Sequence, residues 1–119
     1  MDIYVLDNAR SKDFIALCET IKINPNKTCD DFIHNGFTNY YEPVLHFYRK
    51  INYPDNYDVS FSIDIDKKTM EIKEISILDE NFCQPHFCDD IAYNQVSKMI
   101  DSLVEKELFY RRVAWNHQL

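Results

Sequence analysis

The chain is expected to form an α+β fold: a small antiparallel β-sheet centred on a hairpin over residues 58–78, packed against several helices, the longest at about residues 90–109. Three observations lead there. In DVSFSIDIDKKTMEIKEISIL, apolar residues alternate with polar ones on either side of a polar turn, the period of a half-buried strand pair. Over residues 90–109 they recur instead at the spacing of a helix with one apolar face. The 119 residues contain one glycine, no internal repeat and no low-complexity tract, so no linker divides them and a single globular domain over 1–119 is expected. At 45% hydrophobic residues, with eight Phe and eight Tyr, burial is sufficient to offset the entropy of ordering the chain.

Taken in order, residues 2–6 are a short apolar run and a candidate edge strand. Asp7 or Ser11 then caps a helix in which Phe14, Leu17, Cys18 and Ile21 share one face, and Asn24-Pro25-Asn26 breaks it. Thr28 with Asp31 three residues later has the spacing of a capping box, in which side chain and backbone satisfy each other's free groups. Asn35-Gly36 supplies the stop, so a short helix carrying Phe32 and Ile33 is expected.

The segment TNYYEPVLHFYRKINY reads as a second helix. Asn39 stands at its cap, Pro43 lies in the first turn, where a missing N–H costs little, and Tyr40, Tyr41, Val44, Leu45, Phe47, Tyr48 and Ile51 spread over an arc of about 160°. That arc is wider than a surface helix needs, which makes Tyr40, Tyr41 and Tyr48 candidates for contact with a partner.

In the central hairpin the turn is expected at Asp66 to Thr69, with Ile65 opposite Met70 and Ile63 opposite Ile72. The alternation slips at Lys73-Glu74 and resumes at Ile75, so one extra residue, a β-bulge, is expected at Lys73 or Glu74. The outer face then carries Asp58, Asp64 and Asp66 on one strand and Glu71 across from Asp64. Like charges facing each other on a sheet cost about 0.2–1 kcal/mol.

The last helix places Ala92, Tyr93, Val96, Met99, Ile100, Leu103 and Val104 in an arc of about 140°. The tail YRRVAWNHQL is a candidate final strand or docked end.

One stretch, NFCQPHFCDD, concentrates chemistry-bearing side chains. Cys83, His86 and Cys88 are three possible metal ligands, whereas a structural zinc site takes four, commonly as two close pairs; Cys29 or His34 would have to complete it. The simpler expectation is a loop in which Pro85 shapes the backbone, Phe82 and Phe87 plug into the core, and Asp89 or Asp90 caps the long helix. With one glycine there is no phosphate-cradling loop. No hydrolase, metalloprotease or calcium-loop motif occurs either, so neither an enzyme nor a cofactor is expected.

Net charge is −7 and unevenly placed. Lys and Arg against Asp and Glu number 6 and 8 over residues 1–57, 3 and 9 over 58–90, and 4 and 3 over 91–119. The middle third therefore holds most of the excess, which repels nucleic acid and anionic membranes and speeds encounter with basic surfaces. The start MDIYVLDNARSK has no basic region followed by an apolar stretch, and no run reaches bilayer-spanning length, so a cytoplasmic location is expected.

These features fit a small acidic protein that neutralises a basic partner in a one-to-one complex, foremost an immunity protein for a nuclease-type bacterial toxin. Asp58, Asp64, Asp66, Glu71, Glu74, Tyr40, Tyr41 and Tyr48 are the expected partner-binding residues. The alternatives are a phage-type inhibitor of a nucleic-acid enzyme, or a small metal-binding domain or enzyme centred on Cys83, His86 and Cys88.

Overall fold

The computed structural model describes residues 12–55 and 57–111. Helix α1 (Lys12–Glu19) turns Phe14, Leu17 and Cys18 inward as their spacing predicts. Ile21 is also buried, but it opens strand β1 (Ile21–Ile23) rather than extending the helix. Helix α2 (Cys29–His34) begins at the expected capping box, with the Thr28 amide donating to Asp31 Oδ2 at 2.8 Å.

The segment after Gly36 departs from the expected helix. It forms a hairpin of β2 (Thr38–Tyr41) and β3 (Val44–Ile51), turning at a cis Glu42-Pro43 bond. The apolar positions 44, 47, 48 and 51 satisfy a helical period, but Leu45, Phe47 and Ile51 also fall on one face of a strand, and these three are the ones buried. Eight β3 residues pair with a neighbouring strand, and that ladder outweighs local helical preference in a stretch rich in β-branched and aromatic residues. The expected Tyr-rich helix therefore does not exist.

Strands β4 (Val59–Asp66) and β5 (Glu71–Asp79) form the expected hairpin. Their register differs from expectation: Ile65 pairs with Ile72 and Ile63 with Ile75, so Glu71 lies opposite Asp66, and Glu74 opposite Asp64. The turn is the reason. Asp66 Oδ1 accepts from the amides of Lys68 and Thr69, and Met70 takes a left-handed φ of 54°, which makes Met70 a turn residue rather than the first of a strand. The predicted bulge is at Lys73, which stands unpaired between the Ile65–Ile72 and Asp64–Glu74 rungs.

A two-residue strand β6 (Gln84–Pro85) completes a five-stranded antiparallel sheet in the order β2-β3-β4-β5-β6. Helix α3 (Asp90–Glu105) follows, shorter than expected at its C-terminal end. Asp89 caps it by accepting from the Ala92 amide at 2.9 Å. Strand β7 (Phe109–Arg111) then pairs with β1 in a separate two-stranded sheet, so that Ile23 meets Phe109 and Ile21 meets Arg111. Residues 2–6 and the tail beyond Arg111 lie outside the described residues.

One core joins these parts. Leu45, Phe47, Phe61, Ile63, Ile65, Ile75 and Ile77 from one face of the sheet meet Phe14 of α1, Phe32 of α2, Val96 and Ile100 of α3, and Phe109 of β7. Phe14 packs edge-on to Phe61 at 6.4 Å, and Phe32 edge-on to Phe109 at 5.8 Å, the geometry that aromatic quadrupoles favour. Among the described residues all three helices bury their apolar sides in this core. The other face of the sheet is thus left polar. No helix of the described residues is long and apolar enough to cross a membrane.

Candidate functional site

Among the described residues the helices pack on one face of the sheet, and the side chains of the other face follow from the period of two, Ser60 and Ser76 being buried among their neighbours there. Strand β3 sends His46, Tyr48 and Lys50 outward, β4 sends Ser60, Ser62, Asp64 and Asp66, and β5 sends Glu74 and Ser76, with Glu71 in the rung beyond the bulge.

At one end of this face the Asp64–Glu74 and Asp66–Glu71 rungs set four carboxylates side by side. Two of them are engaged: Asp66 holds the turn, and Asp64 Oδ1 lies 2.5 Å from His46 Nδ1, where the ring N–H donates to the carboxylate. Nearby, Lys67 pairs with Glu42. Further along, Tyr48 stacks beside His46 with ring centres 6.3 Å apart. Its hydroxyl donates to Glu80 Oε2 at 3.1 Å, and Ser60 Oγ donates to the same oxygen at 2.5 Å. Burial and this glutamate hold the Tyr48 hydroxyl above its ordinary pKa. Ser62 and Ser76 share a hydrogen bond of 3.2 Å between them.

The eight expected partner-binding residues are therefore only partly brought together. Asp64, Asp66, Glu71 and Glu74 cluster as expected, and Tyr48 lies on the same face. Asp58 does not join them: it precedes β4, about 20 Å along the strand from Asp64, and pairs with Lys50. Tyr40 is exposed on the edge strand β2, and Tyr41 belongs to the same strand, paired with Val44. His46 and Glu80 are not evident from the sequence. His46 is visible only once its segment is read at period two, and Glu80 reaches Ser60 only because its amide donates to Asp58 O and folds the chain back over β4.

The segment NFCQPHFCDD has two of its expectations reversed. Phe82 is 70% exposed and Phe87 56% exposed, so neither plugs into the core. Cys83 sits on the exposed turn with φ of 51°, whereas Cys88 is buried. Burial first, then the negative charges of Asp89, Asp13 and Asp90, push the Cys88 thiol up to about 12, so it is a thiol and not a thiolate at neutral pH. His86 is turned edge-on to Tyr53 with ring centres 5.9 Å apart. Among the described residues no three His, Cys, Asp or Glu side chains converge on a point that would hold a metal ion. Asp89 is the member with a defined role, since beyond capping α3 it accepts from the Tyr53 hydroxyl at 2.9 Å.

No family model matches the chain, and no curated protein matches it. Among solved structures, the crystal structure of a DUF1831 family protein from Lactobacillus plantarum superposes with a TM-score of 0.63 at 13% identity, covering 76% of this chain and 85% of that one. At that identity the likeness is one of fold.

Proposed function

We propose that this protein is a stoichiometric binder of a basic protein, acting in the cytoplasm as an immunity protein against a nuclease-type toxin, with the outer face of its sheet as the contact surface. The observation that carries this reading is the pair of successive acidic rungs, Asp64–Glu74 and Asp66–Glu71. Each opposes like charges at a cost of about 0.2–1 kcal/mol, and a cationic surface laid over them converts that cost into attraction. A nuclease must be basic to hold phosphate, so its groove is complementary to such a face. Tyr48, partly exposed on the same face as the carboxylates, supplies an aromatic contact of the kind that concentrates binding energy. A phage-type inhibitor of a nucleic-acid enzyme would use the same chemistry, and the identity of the captured protein separates the two.

The test is affinity capture from the native host followed by stopped-flow association with the recovered protein. A one-to-one complex with a basic protein is expected, and D64N/E71Q/E74Q should lower the association rate about tenfold at low salt and flatten its salt dependence. An unchanged rate removes the sheet face from the reading. Failure to recover any basic partner removes the reading itself.

A further inference from the structure

Six of the eight phenylalanines, Phe14, Phe32, Phe37, Phe47, Phe61 and Phe109, are at most 3% exposed. The other two, Phe82 and Phe87, lie five residues apart and project into solvent. Phenylalanine has no polar group with which to repay exposure, and leaving such a ring in water forgoes the gain of burying it.

The two rings are part of a larger surface. Tyr57, in the connection from β3 to β4, is exposed and packs edge-on to Tyr53 at 5.5 Å. Tyr53 in turn touches His86 and Asp89, which flank Phe87, and Ile91 is exposed in the first turn of α3. The β5–α3 connection thereby carries Phe82 and Phe87 on the segment that meets Tyr53, with Tyr57 packed against that tyrosine. On the turn, Cys83 holds a left-handed backbone that is unfavourable for a non-glycine residue, another departure from what stability alone favours.

The β5–α3 connection itself carries charge of one sign. No Lys or Arg occurs between Lys73 and Lys98, while Asp79, Glu80, Asp89 and Asp90 all do. Lys50, on β3, is engaged with Asp58, the residue that follows Tyr57. Glu80 also ties this connection to the sheet face through its bond from Tyr48.

We infer that the β5–α3 connection is a docking surface for a basic protein, with Phe82 and Phe87 as its anchors. The acidic rim selects the occupant. Arg and Lys combine apolar stems with cationic heads, so they lay their stems along the rings, place their charge over the ring faces and meet the carboxylates beyond. A second copy of this chain would set acid against acid, and an anionic membrane would be repelled. The inference rests on the proposed function and moves its apolar anchor off the sheet face to this connection.

Site-specific photocrosslinking in the native host tests it, with p-benzoylphenylalanine replacing Phe82, Phe87, Glu71 or Lys98 in separate proteins. The expected result is a one-to-one adduct with a basic protein from positions 82 and 87, suppressed by excess unlabelled chain, with none from position 98. The purified F82S/F87S variant, folded by circular dichroism, should bind that protein at least about tenfold more weakly than the unsubstituted chain. An adduct from position 71 with none from 82 or 87 overturns the inference and leaves the proposed function standing. No adduct from 71, 82 or 87 overturns both. An adduct with a second copy or with an acidic protein overturns the docking surface, as does an F82S/F87S chain that fails to fold, since the rings would then be structural.

Discussion

His46 Nδ1 and Asp64 Oδ1 stand 2.5 Å apart across the β3–β4 ladder, and Glu74 faces the same aspartate from β5. The imidazole therefore sits where a like-charge rung needs a donor. Removing it takes that donor from Asp64 while Glu74 still opposes it. H46A should destabilise the fold by about 0.5–1 kcal/mol, and adding D64N should restore part of that. A double-mutant cycle by urea denaturation should give a coupling of about 0.5–1 kcal/mol, the range of a partly exposed charged pair. Additive single effects would mean that the two residues are only neighbours.

The core and the edge strand should respond very unequally to truncation. Phe61 is fully buried and touches both Phe14 and Phe47, so F61A should cost about 3–5 kcal/mol through lost burial and the cavity left behind. Tyr40 is 80% exposed on β2, and Y40A should stay within about 0.5 kcal/mol of the unsubstituted chain in the same urea titration.

Gly36 is the only glycine and takes φ of +106°, a region from which a β-carbon is largely excluded. An added β-carbon would also lie 2.7 Å from the end of the Arg49 side chain, which is long enough to move aside. The backbone penalty then dominates. G36A should destabilise by about 1–2 kcal/mol by thermal melting, and R49A should relieve little of it, whereas a steric origin predicts substantial rescue.

Asp89 has two roles, and they can be separated. D89A removes the α3 cap and the acceptor for the Tyr53 hydroxyl, for an expected loss of about 2 kcal/mol. D89N keeps a capping side chain and should cost less than half of that. Y53F, which removes only the second interaction, should cost about 1 kcal/mol.

Stability should decline on the alkaline side. Burial pushes the Cys18 and Cys88 thiols up, and burial with the Asp89 bond raises the Tyr53 hydroxyl. Unfolding returns these groups to ordinary values of about 8.5 and 10, where they release protons that the folded chain retains. The unfolded state then binds fewer protons, so this contribution is complete below about pH 8.5 and is lost as pH rises toward the folded value of about 12 for Cys88. Urea midpoints measured from pH 7 to 10.5 should fall, and C88A/Y53F should flatten the fall.

The parts of this fold that declare themselves in the sequence are those whose local chemistry admits one solution. The Thr28–Asp31 box, the Asp89 cap, the α3 stripe and the bulge at Lys73 each depend on neighbours within a few residues. The β2–β3 hairpin does not. Its apolar positions satisfy both periods, and only pairing with β4, a partner distant in sequence, decides between them. The acidic rungs are half legible for the same reason: alternation places Asp64 and Asp66 on one face, but the side-chain bond from Asp66 to the turn amides sets which glutamate each one meets. Phe82 and Phe87 escape a sequence reading because apolar character predicts burial on average and carries no information about a connection left exposed.

The pairing of β1 with β7 joins residues 21–23 to residues 109–111. During synthesis at about 5–20 residues per second, β1 waits roughly 4–18 seconds for its partner. Through that interval Ile21 lacks its ladder and Phe32 lacks the Phe109 ring that closes the core around it. A product halted inside α3 keeps both sites bare and open to chaperones and proteases. The short β1–β7 ladder therefore ties closure of the core around Phe32 to residues 109–111, which are made long after α2.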